Sequence, residues 1–364
     1  MPKFLNLQPE MFGMDINDSF LRLAKIKKAA RGFALQSFAE APIKEGIVKE
    51  GVIMDKEALV KIIRQACKKV VGKKLHAKHV VLSLPEEKSF SQVIQMPRMT
   101  SEELVSAVPF EAENYIPIPI EKVYLDFEKM PAADKVQGHT SVLINAVPKL
   151  IVDAYVECFK EAGLVPYALE VESQAITRAL VKRGSVNPPL IIIDFGVANT
   201  DLIIFLNGGI RFTCSIPISS SQLTQAIADT FKVSVTRAEK IKIKQGLNKK
   251  GEQKYNVEKA VSPILHELVL QIKKYINFYY GHASAESSLP EMEIEKIILC
   301  GGGANLKKMP AFLHKELKIP VELGNPFSNI LAQKNGKSYS LPEEKILSFT
   351  TALGLALRAV AEEN

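Results

Sequence analysis

The order strand–strand–strand–helix–strand occurs twice along the chain, and each time an aspartate closes the first strand. Near the N-terminus, apolar stretches over 12–17, 20–26 and 33–38 alternate in the way that predicts strands. A helix over 56–71 follows, with Leu59, Ile62, Ile63, Ala66, Cys67 and Val70 at helical spacing and Asp55 placed as its cap. A buried strand over 79–84 completes the first copy. In the second copy strands run over 189–195, 201–206 and 210–216, and Asn207-Gly208-Gly209 makes a hairpin turn in which positive φ is cheap. A helix over 221–231 comes next. Much later, a strand over 296–300 runs into Gly301-Gly302-Gly303. The two aspartates are Asp15 and Asp194, and each has a hydroxyl shortly after it, Ser19 and Thr200. A duplicated α/β unit of this kind predicts two lobes facing each other across a cleft.

Each half carries an insert. The first, over 79–165, holds a helix over 101–115 interrupted by Pro109, then Ile116-Pro117-Ile118-Pro119. Strands over 124–129 and 141–147 follow, then a helix over 149–162 closed by Gly163. The second half adds helices over 235–243 and 257–282. Segments 248–254, 283–291 and 333–340 read as flexible. The resulting plan is a first-lobe core over 11–78, the insert over 79–165 and a connection over 166–187. The second-lobe core then spans 188–234, a small subdomain 235–290, further second-lobe core 291–335, and a C-terminal return 336–364.

Several classes are disfavoured. No apolar run approaches the ~20 residues that span a bilayer, and 1–12 lacks the apolar core of a signal peptide. The net charge of +7 is dispersed, which predicts no nucleic-acid partner. Cys67, Cys158, Cys214 and Cys300 lie far apart in apolar patterns and read as reduced thiols. No stretch matches the P-loop or the dinucleotide fingerprint.

The aspartate turns carry the chemistry. In 194–201 a strand delivers Asp194 to a tight turn opened by Gly196. A carboxylate there can orient a hydrated Mg²⁺ while Asn199 and Thr200 face a phosphate. Asp15 would be the second magnesium-orienting carboxylate, in a turn that presents Asn17 and Ser19. The plain alternative for both is a β-turn without a ligand. Gly301, Gly302 and Gly303, followed by Asn305, let backbone approach a flat ring or a phosphate. Glu239 and Lys242 share one helix face, as a ribose contact or as a solvated ion pair.

Together these elements resemble the actin-like ATPase superfamily, a duplicated, ribonuclease H-like two-lobed fold that includes actin, heat-shock chaperone ATPases, sugar kinases and FtsA. The two aspartate turns look like its phosphate loops, 300–305 its adenosine loop, and Glu239 with Lys242 the helix that touches ribose. The stretches 168–176 and 352–357 look like its interdomain connections. The position of the insert is similar to FtsA. The runs Phe12-Gly-Met-Asp-Ile16 and Pro109-Phe-Glu-Ala-Glu-Asn-Tyr-Ile-Pro117 closely resemble the type IV pilus assembly family PilM. That resemblance, over about 11–361, implies a cytoplasmic scaffold that binds ATP and Mg²⁺ with weak or absent turnover. It also implies capture of the N-terminal tail of a PilN-like inner-membrane protein and assembly into a homo-oligomeric ring, so that membrane attachment is peripheral and comes through the partner. Phe110, Tyr115, Ile116 and Ile118 are the candidate tail groove, the alternative being that they pack the insert's own core. The alternative functions are an active actin-like ATPase or an FtsA-like filament. The chain's ending, Arg358 to Asn364, lacks the basic amphipathic helix such a filament uses to reach membrane. Phe4-Leu5-Asn6-Leu7 reads as an apolar strand able to lie over a groove. For turnover, Glu170, Glu172 and Gln174 are the candidates to position water, with Glu172 first. The sequence departs from the family at Asn17, expected to hold the turn through left-handed backbone, and at Asp18, whose charge would repel a phosphate unless it turns away.

Overall fold

A computed structural model describes residues 9–29, 32–130, 139–182, 188–248, 255–286, 293–330 and 341–362. Phe4–Leu7 and most of the three segments read as flexible lie outside the described residues.

The first lobe starts as an antiparallel meander of β1 (Met11–Ile16), β2 (Phe20–Ala29) and β3 (Gly32–Pro42). A short hairpin, β4 (Val48–Lys49) and β5 (Val52–Ile53), leads into α1 (Lys56–Lys68). That helix starts where the Asp55 carboxylate accepts from the Ala58 amide at 2.9 Å, as its cap position predicts. After β6 (Val71–Gly72), β7 (His79–Leu84) pairs parallel with β1.

Beyond a 3-10 turn over Glu86–Lys88 come β8 (Phe90–Pro97), α2 (Ser101–Ala112), β9 (Val123–Lys129) and β10 (His139–Pro148). Their strands form an antiparallel sheet in the order β8-β10-β9. Helix α2 opens with a reciprocal cap between Thr100 and Glu103 and ends at Ala112, short of the expected Tyr115. It covers the sheet face that carries Val142, Ile144 and Ala146. Leu143, on the opposite face, packs with Ile176, Ile192 and Ile203 near the second lobe.

The chain then returns to the first lobe through α3 (Lys149–Glu161) and β11 (Val165–Val171). Tyr155, Cys158 and Phe159 are buried with the β1 and α1 side chains, and β11 pairs parallel with β7. The first-lobe sheet therefore reads β11-β7-β1-β2-β3-β6. Strand 79–84 joins this sheet as the last strand of the first copy, so the insert begins after it rather than at 79, and helix 149–161, read from sequence as part of the insert, belongs to the first-lobe core. Where a buried strand pairs is a long-range choice that its own residues do not encode.

After α4 (Glu172–Leu180) the second lobe repeats the plan: β12 (Leu190–Phe195), β13 (Thr200–Leu206) and β14 (Gly209–Ile216) form the meander. The uninterrupted apolar run of β12 suits a strand buried on both faces. Asn207 and Gly208, at φ 50° and 79°, make the two-residue turn between β13 and β14. Helices α5 (Ser220–Phe231), α6 (Val235–Gln245) and α7 (Val257–Glu286) follow. Then come β15 (Lys296–Cys300), a 3-10 turn over Gly302–Asn305, α8 (Met309–Leu317) and β16 (Val321–Leu323). The sheet order is β14-β13-β12-β15-β16, so β12 occupies the place that β1 holds in the first lobe.

The last helix, α9 (Thr350–Glu362), buries Ala352, Leu353, Ala356 and Leu357 against first-lobe residues Ala24, Ile26 and Phe38. It also crosses α4 backbone to backbone, since a Cβ on Gly354 would lie 1.9 Å from the Ala175 carbonyl oxygen. The two stretches read as interdomain connections thus pack on each other.

Candidate functional site

The duplicated topology brings the ends of β1 and β12 together. Asp15 is buried and accepts from the Ser83 hydroxyl of β7 at 2.8 Å. Asp194 lies near the end of β12, close enough to Asp15 to feel its charge. Burial, reinforced by Asp15 and only partly offset by Arg22, pushes the Asp194 carboxyl up to about 7. Burial also raises Asp15, against Arg22 and the Ser83 hydrogen bond. Arg22 stands opposite Asp15 in the β1–β2 register, bonds Glu40 at 2.9 Å and stacks 4.7 Å from the Phe20 ring centroid.

The glycine run abuts Asp194. A Cβ on Gly301 would lie 2.0 Å from the Asp194 Oδ1, and one on Gly303 would lie 2.7 Å from the Phe195 ring. Gly301 adopts φ 81°, so glycine is required there for both space and backbone. Gly302 is exposed, and the Asn305 amide donates to the Gly302 and Glu344 carbonyls at 3.3 and 3.0 Å.

Several expected phosphate-facing side chains are committed elsewhere. The Asn17 Oδ1 accepts from the Ser19 and Phe20 amides at 3.1 and 3.0 Å, and among the described non-glycine residues with positive φ Asn17 is absent. Its side chain, not left-handed backbone, holds the turn. Thr200 is fully buried and its hydroxyl donates to the Ile218 carbonyl at 2.5 Å. The Asn199 amide donates to Glu87, Asp201 and Ser215 at 3.1, 3.1 and 2.7 Å. Gly196 closes the turn through its amide on the Asn199 carbonyl at 2.9 Å, which leaves Ala198 exposed at the tip. Ser19 is half-buried. Any phosphate at these turns is therefore met largely by backbone.

Asp18 has turned away. Its carboxylate accepts from the Glu50 and Gly51 amides at 2.7 and 3.1 Å. Both residues are left-handed, φ 48° and 70°, and so converge their N–H groups into an anion-binding nest. The β4–β5 tip thus removes the repulsion expected from the sequence.

Lys242 is buried, and its ammonium donates to the Ser220 carbonyl and hydroxyl and to the Thr224 hydroxyl at 3.0, 2.9 and 2.7 Å. It also pairs with Glu239 at 2.8 Å, and burial lowers its pKa despite that pair. Lys242 therefore ties α6 to the start of α5 and does not itself present a cation. Glu239, 44% exposed, keeps access to solvent.

Glu170 and Glu172 differ sharply. Glu170 is held by Arg178 and Arg358, which makes it a brace between α4 and α9. Glu172 accepts weakly from the Glu86 amide at 3.4 Å. Its carboxyl is raised well above the usual range by burial and then by Asp15, Asp201, Glu87 and Asp194. Sequence reasoning missed Ser83, Glu86, Glu87 and Asp201 as neighbours of the cleft. The run Pro85-Glu86-Glu87-Lys88 after a buried strand reads as surface, and only the tertiary fold turns it inward. Among the described residues no three acidic, His or Cys side chains converge as a metal cage.

In the insert, Phe110 is 76% and Tyr115 38% exposed, whereas Ile116 is buried in the insert core and Ile118 packs against it. The first pair is exposed, and the second packs the insert's own core.

Two sheets of the same topology, joined by crossed helices and meeting at paired aspartates, define the actin-like two-lobed class. MreB5 of Spiroplasma citri, solved bound to ADP, shares that fold with TM-score 0.57 and 13% identity over 98% of both chains. The chain belongs to the type IV pilus assembly protein PilM family, whose sequence profile matches residues 13–360. A solved PilM–PilN type IV pilus biogenesis complex aligns with TM-score 0.80 and 27% identity over 96% of this chain and 98% of that one. Cell division protein FtsA of Borreliella burgdorferi is 27% identical over 56% of this chain and 50% of its own length. The chain spans about half the length of the curated relatives it matches. No described helix is long and apolar enough to cross a membrane.

Proposed function

We propose that the chain is an ATP-binding scaffold of type IV pilus assembly that grips the N-terminal tail of a PilN-like membrane protein. The observation that carries the nucleotide reading is the pair Asp15 and Asp194, placed by equivalent strands, with Asp194 against the Gly301 cradle. Magnesium held through these carboxylates would neutralise phosphate charge and offset the burial, and for Asp194 the Asp15 charge, that raise their pKa values. Gly302 and Asn305 would flank the base, and Glu239 would meet the ribose. The Val197–Ala198 and Ser19 segments would meet phosphates. Glu172 would be the residue to orient a water. The crowding of carboxylates around it favours a slow or absent step, in which ATP acts as a clamp between lobes.

The tail would lie on the insert beside Phe110 and Tyr115. A protein of this kind works in the cytoplasm, attached to the inner membrane through its partner, in a ring of identical copies. The test is a calorimetric titration of the protein with the N-terminal peptide of the PilN-like protein from the same genome. Saturable one-to-one binding that requires Mg-ATP and is lost in Phe110→Ala is expected. Absence of binding with Mg-ATP present overturns the tail assignment. Absence of any Mg-ATP binding overturns the nucleotide reading.

A further inference from the structure

A cavity of about 800 Å³ separates the start of the insert from the second lobe. One wall is the Glu86–Lys88 turn and the beginning of β8; the other is β14 and α7. Phe212 and Phe278 line the second wall with ring centroids 5.7 Å apart, and Tyr275 stands 6.0 Å from Phe212. Phe278 is 47% exposed, so this aromatic wall reaches the surface.

Carboxylates line the opposite side. Glu86 is only 4% exposed. Its Oε2 accepts from the Ser173 amide at the start of α4 at 3.1 Å. Its Oε1 is buried with Thr213 beside it, yet makes no hydrogen bond of ordinary geometry among the described residues. Glu87 lies next to it and accepts from the Asn199 amide at 3.1 Å. The cation in the lining, Lys88, is 3.7 Å from Glu50. Glu86 and Glu87 therefore give an aromatic-walled cavity an acidic side; burial raises the Glu86 carboxyl against its contacts with Thr213 and Ser173, so a cation supplied from outside would favour its charged form.

We propose that this cavity takes the basic side chain, arginine or lysine, of a polypeptide partner. The cation donates to Glu86 Oε1 while its stem and charged head lie along Phe212 and Phe278. The charge and the aromatic wall are complementary to that side chain and hostile to anions. The site is separate from the Phe110 and Tyr115 face of α2. It lies one hydrogen bond from the second aspartate turn through Glu87 and Asn199.

The test is saturation-transfer NMR on the full chain with N-acetyl-argininamide, its neutral citrulline analogue, the tripeptide acetyl-Ala-Arg-Ala-amide and agmatine. The arginine probes are expected to bind and the citrulline analogue not to. Glu86→Gln should weaken them about tenfold, as loss of a charge-assisted hydrogen bond predicts. Because Glu86 also bonds the start of α4, Phe278→Ala at the exposed rim provides a second variant, expected to weaken binding several-fold with unchanged melting temperature. Equal binding of the citrulline analogue, binding indifferent to both variants, or no binding at saturating probe each overturns the proposal. Binding of agmatine with exclusion of the tripeptide overturns the polypeptide assignment.

Discussion

Replacing Glu170 by Gln tests whether this carboxylate braces the molecule or serves the cleft. Glu170 is 3% exposed, and its two oxygens meet Arg178 of α4 and Arg358 of α9. Arg178 Nη2 and Arg358 Nη1 each lie 2.8 Å from Oε2, and Arg178 Nη1 pairs with Oε1. Gln keeps the shape but turns one acceptor into an NH₂ donor facing guanidinium donors. Removing one partner of a fully buried pair costs about 3–5 kcal/mol. The arginines here are 23% and 29% exposed, so water recovers part of the loss. About 2–3 kcal/mol is the reasoned figure, which for a chain of 364 residues corresponds to a melting temperature lower by roughly 3–4 °C. Differential scanning calorimetry of the parent, Glu170→Gln, Arg178→Gln and the double variant measures it. The double variant should be less destabilised than the sum of the two singles, since neither retained group is then left opposed. A Glu170→Gln melt within about a degree of the parent, or strict additivity, refutes the brace.

The remaining expectations concern the cleft. Gly301→Ala places a methyl against the Asp194 oxygen at left-handed φ and should cost about 2 kcal/mol or more, with at least tenfold weaker ATP binding by fluorescence titration. Asp194, with its pKa raised to about 7, holds a proton in the folded chain where the unfolded chain has lost it. Its contribution to stability is therefore greatest in acid and falls as pH rises from about 4 to 7. If the proposed site holds, Mg-ATP requires the carboxylate, so its affinity should run the other way and rise up to about tenfold per unit below that pKa before levelling off above it. Affinity independent of pH across that window removes Asp194 from the metal site. Lys242→Met leaves the Ser220 and Thr224 oxygens without their donor, and should lower the melting temperature of the nucleotide-free protein through about 1–3 kcal/mol. An unchanged nucleotide-free melt with weaker ATP binding would return Lys242 to a ribose contact. Asp18→Ala frees the Glu50 and Gly51 amides and should destabilise the β4–β5 tip by about 1–2 kcal/mol without strengthening ATP binding, measured by thermal melt and titration.

Local signals were legible where local physics decides. The alternation in 20–26, the continuous apolar run of β12, the Asp55 cap and the Asn207-Gly208 turn each reappear where the residues predict. Asp15 and Asp194 were visible because an acid at a strand end is exceptional against its apolar neighbours. Side-chain direction was not legible. Asn17, Thr200 and Asn199 are polar residues in the right turns, but neighbouring amides, the Ile218 carbonyl and two carboxylates compete for them at shorter range than any ligand. Glu86 and Glu87 look like solvated surface in the sequence, and become cleft residues because the insert folds back toward the second lobe.

The chain's own pattern determined that two similar α/β units would form, each delivering an aspartate to a turn, since periodicity and turn chemistry act over a few residues. The tertiary structure alone decided that α3 joins the first lobe, that Asp18 is held off by the β4–β5 tip, and that Lys242 is an internal tie. These outcomes depend on partners from 18 residues away, for Lys242 and Thr224, to 104, for Tyr155 of α3 and Gly51. Such contacts form only once the backbone has closed those loops and the burial of whole faces has selected one pairing.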